Sequence, residues 1–154
     1  MFDFNNQSVD MLPKIISSVT EGENDLIANL SNISSVIYQI VPNLNWAGFY
    51  RNINEELVLG PFQGKAACIR IKFGKGVCGT CAKEKRTILV HDVHEFEGHI
   101  ACDSNSNSEI VIPLFNHDKT LFGVLDLDSP EIGNFDKLKS VLEESAKEIE
   151  KILP

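Results

Sequence analysis

The spacing of apolar residues changes twice along this chain, and that change limits its fold more than any other feature. From Ser8 to Ile40 they recur at helical intervals, with Met11, Leu12, Ile15, Ile16 and Val19 in one run and Leu26, Ile27, Leu30, Ile33, Ile37 and Ile40 in the next. Glu21-Gly22-Glu23 separates the runs, so the pattern predicts two helices. Pro42 ends the second, because its ring cannot continue the hydrogen-bond ladder and it pushes Val41 into an extended conformation. Period two then takes over: Trp46 to Tyr50, Leu57 to Phe62, Cys68 to Phe73, Thr87 to Val90, Glu109 to Phe115 and Thr120 to Leu127 read as strands. Asn116 to Lys119 reads as a hairpin turn, and Gly76 to Arg86 as one short helix. Helical spacing returns with Phe135, Leu138, Val141, Leu142, Ile149 and Leu153, capped by Asn134 or Asp136. Helices at both ends of a mainly antiparallel sheet imply an α+β fold. Residues 1–42 and 134–153 cover one sheet face, and residues 45–129 supply the sheet, with its other face left for a pocket.

A chain of 154 residues is one domain with a core large enough to need neither disulfides nor a structural metal. Its net charge of −8 argues against nucleic acid or an anionic membrane as the main partner. No apolar run reaches the length of a membrane span, and Met1 to Asp10 lacks the basic start of a signal peptide. A cytoplasmic setting follows as the expectation, one in which thiols stay reduced. The charge is also segregated. Lys65, Arg70, Lys72, Lys75, Lys83, Lys85 and Arg86 face only Glu84 between residues 65 and 86, whereas residues 92–131 carry nine acids against Lys119 alone. Such a pattern suits a thiolate beside a pocket for a cationic group, and equally two solvated faces.

All four cysteines lie between residues 68 and 102. Cys68 sits in the alternating run Ala67 to Ile71, where a thiol is as easily a small core residue as a reactive one. Cys78 opens the short helix, where unsatisfied N–H groups favour a thiolate. Cys102 lies in the polar stretch Gly98 to Ser108, a loop, and loops commonly carry reactive groups. Cys78-Gly79-Thr80-Cys81 has dithiol redox spacing but lacks the βαβ setting of such proteins. Cys78, Cys81, His94 and His99 match C-x2-C-x12-H-x4-H, a zinc-finger spacing. Here a strand-like Thr87-Ile88-Leu89-Val90 stands where a finger needs a helix, so neither metal nor cofactor is expected.

Several segments together resemble one family. They are Asn45 to Tyr50, Leu59 to Gly64, Ala67 to Ile71, Gly74 to Thr80, His91 to His94, Gly98 to Asp103, Ser108 to Leu114 and Gly123 to Ser129. In this order, with cysteines at 68, 78 and 102, they look like the free methionine-(R)-sulfoxide reductases, enzymes built on a single GAF domain. The resemblance implies a single GAF domain over residues 1–154, acting on free methionine-(R)-sulfoxide with thioredoxin as reductant, and it leaves a homodimer open. It assigns Cys102 as the thiol that attacks the sulfoxide sulfur, Cys68 as its resolving partner and Cys78 as a further redox-active thiol. Trp46 and Tyr50 correspond to the aromatic wall of the substrate pocket, and Glu109, Asp126, Asp128 and Asp92 to its carboxylates. Cys81 and Glu97 depart from the usual family residues.

The chemistry suits these residue types. Breaking the S–O bond requires a thiolate at sulfur and a proton for the departing oxygen. Asp126 and Asp128, one residue apart on a strand, share a sheet face, while Leu125 and Leu127 take the other. Together with Glu109 they crowd one site, which raises at least one carboxyl pKa and leaves other charge to hold an ammonium. The simpler alternative makes them the solvent face of an edge strand. At the level of function, the alternative is a non-catalytic GAF module that binds or senses a small ligand.

Overall fold

The computed structural model describes residues 3, 4, 6–99 and 104–154. Helix α1 (Leu12–Val19) follows a short 3-10 turn, and α2 (Leu26–Ile40) starts where the Asp25 side chain accepts from the Ala28 N–H at 2.8 Å. It ends at Ile40, two residues before Pro42. Among the described residues six strands follow in chain order: β1 (Trp46–Ile53), β2 (Glu56–Gly64), β3 (Arg70–Lys72), β4 (Ile88–Val90), β5 (Ser108–Phe115) and β6 (Leu121–Ser129). Helix α3 (Gly76–Glu84) lies between β3 and β4, and α4 (Lys139–Glu150) closes the chain.

The strands form one sheet in the order β3-β2-β1-β6-β5-β4, with every neighbouring pair antiparallel. Strand alternation sorts its side chains onto two separate cores. One face carries Ala47, Phe49, Ile110, Ile112, Leu125 and Leu127 against α1, α2 and α4. The opposite face carries Trp46, Tyr50, Val111 and Val124 against α3. Among the described residues no helix is long and apolar enough to cross a membrane.

Two boundaries and one strand position differ from the sequence expectation. The last helix begins at Lys139, not near Asn134, because both candidate caps are engaged elsewhere. Asn134 Nδ2 donates to the Pro42 carbonyl at 2.9 Å, and Asp136 Oδ2 lies 2.6 Å from His91 Nδ1. These contacts tie residues 131–138 to the ends of α2 and β4 as a series of turns. Strand β3 keeps only Arg70–Lys72 of the expected Cys68 to Phe73, because the chain leaves the sheet edge and the Cys68 carbonyl is taken by the Tyr50 hydroxyl at 2.9 Å. Finally, β6 is a central strand, so Asp126 and Asp128 are not the solvent face of an edge.

The β1–β2 hairpin turns on two residues, Asn54 and Glu55, with φ of 54° and 62°. Positive φ at both positions is the type I′ geometry that suits strand twist, and glycine is preferred at the second. Glu55→Gly removes the Cβ strain there and should stabilise the protein by roughly 0.5–1 kcal/mol. A raised urea midpoint with an unchanged m-value is the expected result, and a lowered midpoint would contradict it.

Candidate functional site

The pocket on the α3 side of the sheet follows from strand register. Asp128 on β6 pairs with Trp46 on β1 and with Glu109 on β5, so one row across three strands reads Trp46, Asp128, Glu109. The next row on this face reads Gly48, Asp126, Val111. Gly48 has no room for a side chain, since a Cβ there would come within 2.8 Å of Trp46 Cη2 and against Phe62. The indole therefore lies over the glycine and stacks between Phe62 and Tyr50, with ring centroids 5.2 and 5.9 Å away. The resulting cleft, about 570 Å³ counted out to its mouth, has Trp46 and Tyr50 on its wall and Cys78, Glu109, Asp126 and Asp128 on its floor.

The segment between β2 and β3 closes one side. Trp46 Nε1 donates to the Lys65 carbonyl at 3.0 Å, and the Tyr50 hydroxyl donates to the Cys68 carbonyl. These two bonds hold Lys65, Ala66 and Ala67 against the cleft. Lys65 and Lys75 also line it, so the basic and acidic segments of the chain meet across one pocket.

Burial dominates the electrostatics. Glu109 is 6% exposed, and desolvation, reinforced by the Asp128 charge, pushes its carboxyl up to about 8. Asp126 is raised well above the usual carboxylate range by the same burial and by Glu109. Taking a carboxylate out of water without a cation favours its neutral form, so burial shifts both side chains toward holding a proton. His99 Nε2 lies 3.4 Å from Glu109 Oε1, and partial burial lowers the imidazole pKa.

Cys78 overturns its sequence reading. It is the third residue of α3, near the expected positive helix end, yet its thiol is raised well above the ordinary value. Desolvation is the largest cause, followed by repulsion from Asp126, Glu109 and Asp128. Its Sγ sits 3.9 Å from Glu109 Oε2. A partial helix charge cannot offset burial beside three acids. Cys81 is fully buried, with Sγ 3.6 Å from the Val111 carbonyl, and its thiol is also raised by desolvation.

Cys68 is half-buried beside the cleft. Asp92 does not line the pocket; its carboxylate accepts from the His94 N–H at 3.0 Å and lies 2.7 Å from His94 Nδ1. That arrangement lowers its pKa, through the backbone bond first. Cys102 lies outside the described residues, but His99 and Ser106, on either side of that segment, both line the cleft. Neither was read from the sequence as a pocket residue, His99 having entered only through the zinc-finger spacing. Their signal was position in the same polar stretch of sequence as Cys102, with no periodicity to aim their side chains.

A GAF domain matches residues 25–150. The Escherichia coli (strain K12) protein named free methionine-R-sulfoxide reductase is 45% identical, over 92% of this chain and 86% of its own length. The structure of fRMsr of Staphylococcus aureus in its reduced form is 49% identical and covers all of both chains, with a TM-score of 0.90. The free methionine-R-sulfoxide reductase from Neisseria meningitidis, solved in complex with its substrate, is 41% identical over 99% of this chain and 94% of that one, with a TM-score of 0.90.

Exposure sets an order of thiol reactivity among the described cysteines. Cys68 should react with iodoacetamide well before Cys78 and Cys81, which are 5% and 0% exposed. Mass mapping of a labelling time course reads this, and labelling of Cys78 as fast as Cys68 would show that the pocket floor is open.

Proposed function

This chain belongs to the GAF domain family, and we propose that it uses this pocket to reduce free methionine-(R)-sulfoxide to methionine. The observation that carries the reading is the pair of buried carboxyls, Glu109 and Asp126, whose burial favours the protonated form, set against an aromatic wall. They sit in a chain 45% identical to a named reductase of that compound. The pocket has a counterpart for each part of a free amino acid. Asp128 and its neighbours hold the ammonium, Lys65, Lys75 and the N–H groups opening α3 face the carboxylate, and the Trp46 indole packs on the methyl-sulfur end. A peptide-bound methionine lacks both charges.

The Cys102 thiolate attacks the sulfoxide sulfur while Glu109 or Asp126 delivers a proton to its oxygen. The S–O bond breaks and the hydroxyl passes to the Cys102 sulfur. Methionine leaves with two more electrons, and the cysteine is left as a sulfenic acid. Cys68 condenses with it, forming a disulfide and releasing water, and a dithiol reductant of the thioredoxin type restores both thiols in a cytosolic setting. Cys68 is suited to this role by its partial exposure beside the cleft, while the raised thiol of Cys78 is not. Among the predicted carboxylates, Asp92 has the weakest claim, since it caps a turn outside the lining.

Without added reductant, the wild-type chain should release one methionine per chain and Cys102→Ser none. One full equivalent from that variant would move the nucleophile to another thiol. Peptide mapping after one equivalent should find Cys68 joined to Cys102, whose Cα atoms must then approach within roughly 7 Å. A dominant Cys78–Cys81 bond would refute the pairing.

Tyr50→Phe keeps the ring and removes the bond that holds the Cys68 carbonyl. Loss of about 1 kcal/mol of positioning should slow disulfide formation roughly fivefold and leave the first methionine release unchanged. Rapid-quench measurement of both steps checks it; an equal slowing of both would place Tyr50 in the reduction step instead.

A further inference from the structure

Three ligand-type atoms, one sulfur and two carboxylate oxygens, converge on the pocket floor. Cys78 Sγ and carboxylate oxygens of Glu109 and Asp126 all lie within 4.8 Å of one another, and all three residues are buried. The Cys78 Sγ to Glu109 Oε2 separation is 3.9 Å. Arms of 2.3 Å to sulfur and 2.0–2.2 Å to oxygen around a tetrahedral zinc put such a pair about 3.6 Å apart, so little movement is needed. Independently, Asp126, itself 6% exposed, has an Oδ1 that is buried without a hydrogen-bond partner among the described residues. A buried polar atom left without a partner is a costly arrangement, and a cation that takes the place of the proton on this carboxyl relieves it. His99 stands behind Glu109 at 3.4 Å, as the residues that orient metal-bound carboxylates do.

We propose that the reduced protein binds one zinc-class divalent ion on this floor, held by the Cys78 thiolate, Glu109 and Asp126. The fourth position is open to the cleft. Thiolate with two carboxylates selects a borderline metal such as zinc over magnesium or calcium. Binding replaces the protons these three groups carry, as metal binding to a thiol and carboxyls must. The set is not the zinc-finger spacing of the sequence. Of that quartet only Cys78 is a ligand here, since Cys81 Sγ faces the Val111 carbonyl and His94 is exposed beside Asp92. One consequence rests on the reductase reading, namely that the ion and the substrate ammonium compete for the same carboxylates. The binding itself does not rest on it.

Cobalt(II) titration of the reduced chain under anaerobic conditions tests the site without any activity measurement. One equivalent should produce a near-ultraviolet thiolate-to-cobalt band, which one equivalent of zinc abolishes by displacing the cobalt. Cys78→Ser should lose the band, while Cys68→Ser, Cys81→Ser and Cys102→Ser keep it. Asp126→Asn, checked for folding by its near-ultraviolet circular dichroism, should bind at least about tenfold more weakly in competition with a chelator. Persistence of the band in Cys78→Ser, its loss in Cys102→Ser, unchanged affinity in Asp126→Asn, or cobalt binding with no sulfur band would each overturn the proposal. The last result would place the ion on surface pairs such as His94 with Asp92. Failure of this titration leaves the methionine-release assay untouched, so the two readings fail separately.

Discussion

Burial of Glu109 and Asp126 on the floor of the cleft, beside an apolar cluster, is the constraint around which the site is organised. An ionised carboxylate there has lost its water and gained no cation, so the protonated form wins and the acids become proton carriers. Such an arrangement costs stability. The fold offsets it on the far side of the same strands, where Phe49, Ile110, Leu125 and Leu127 are fully buried against three helices. Each large apolar side chain of this kind contributes roughly 1.5–3 kcal/mol. One sheet therefore serves two purposes: its helix-covered face supplies stability, and its α3 face uses part of it to hold acids in an unfavourable state.

Register is what makes the two purposes compatible. A slip of one residue between β5 and β6 would send Glu109 toward the helices and Ile110 toward the cleft, so the hydrophobic set on one face also specifies the acids on the other. The aromatic wall is fixed in the same way. Gly48 leaves the space that the Trp46 indole occupies, and the indole and the Tyr50 hydroxyl then anchor the 65–68 segment by its carbonyls. A connection with little periodic structure is thereby given a defined place beside the pocket, and Cys68 with it.

The two thiols whose environment the structure reassigns show what burial does to local rules. A cysteine at a helix start is ordinarily a thiolate candidate. At Cys78 the helix end faces three acids across a desolvated floor, and the loss of water around the thiol, with the acids beside it, outweighs a partial charge. Cys68 moves the other way: its alternating neighbours suggest a strand, but Tyr50 takes its carbonyl out of the ladder and leaves the residue partly exposed. The same floor, read as a ligand set, is where a borderline divalent ion finds a thiol and two carboxylates together.

By itself the sequence determined the α+β class, the two terminal helical regions, six strands and the division of Leu125 and Leu127 from Asp126 and Asp128. Each of these follows from periodicity, which a chain carries locally. The ordered motifs also pointed to the family that the comparisons bear out. Only the tertiary structure decided that β6 is central, that Lys65 and Lys75 stand across from the acids, and that His99 and Ser106 join them. It also decided that Asn134 and Asp136 bind other elements before they can cap a helix, and that Cys78 is protonated. These outcomes depend on which groups lie within a few ångströms through space. Desolvation and hydrogen-bond competition are set by such neighbours, and those neighbours come from parts of the chain that local pattern does not connect.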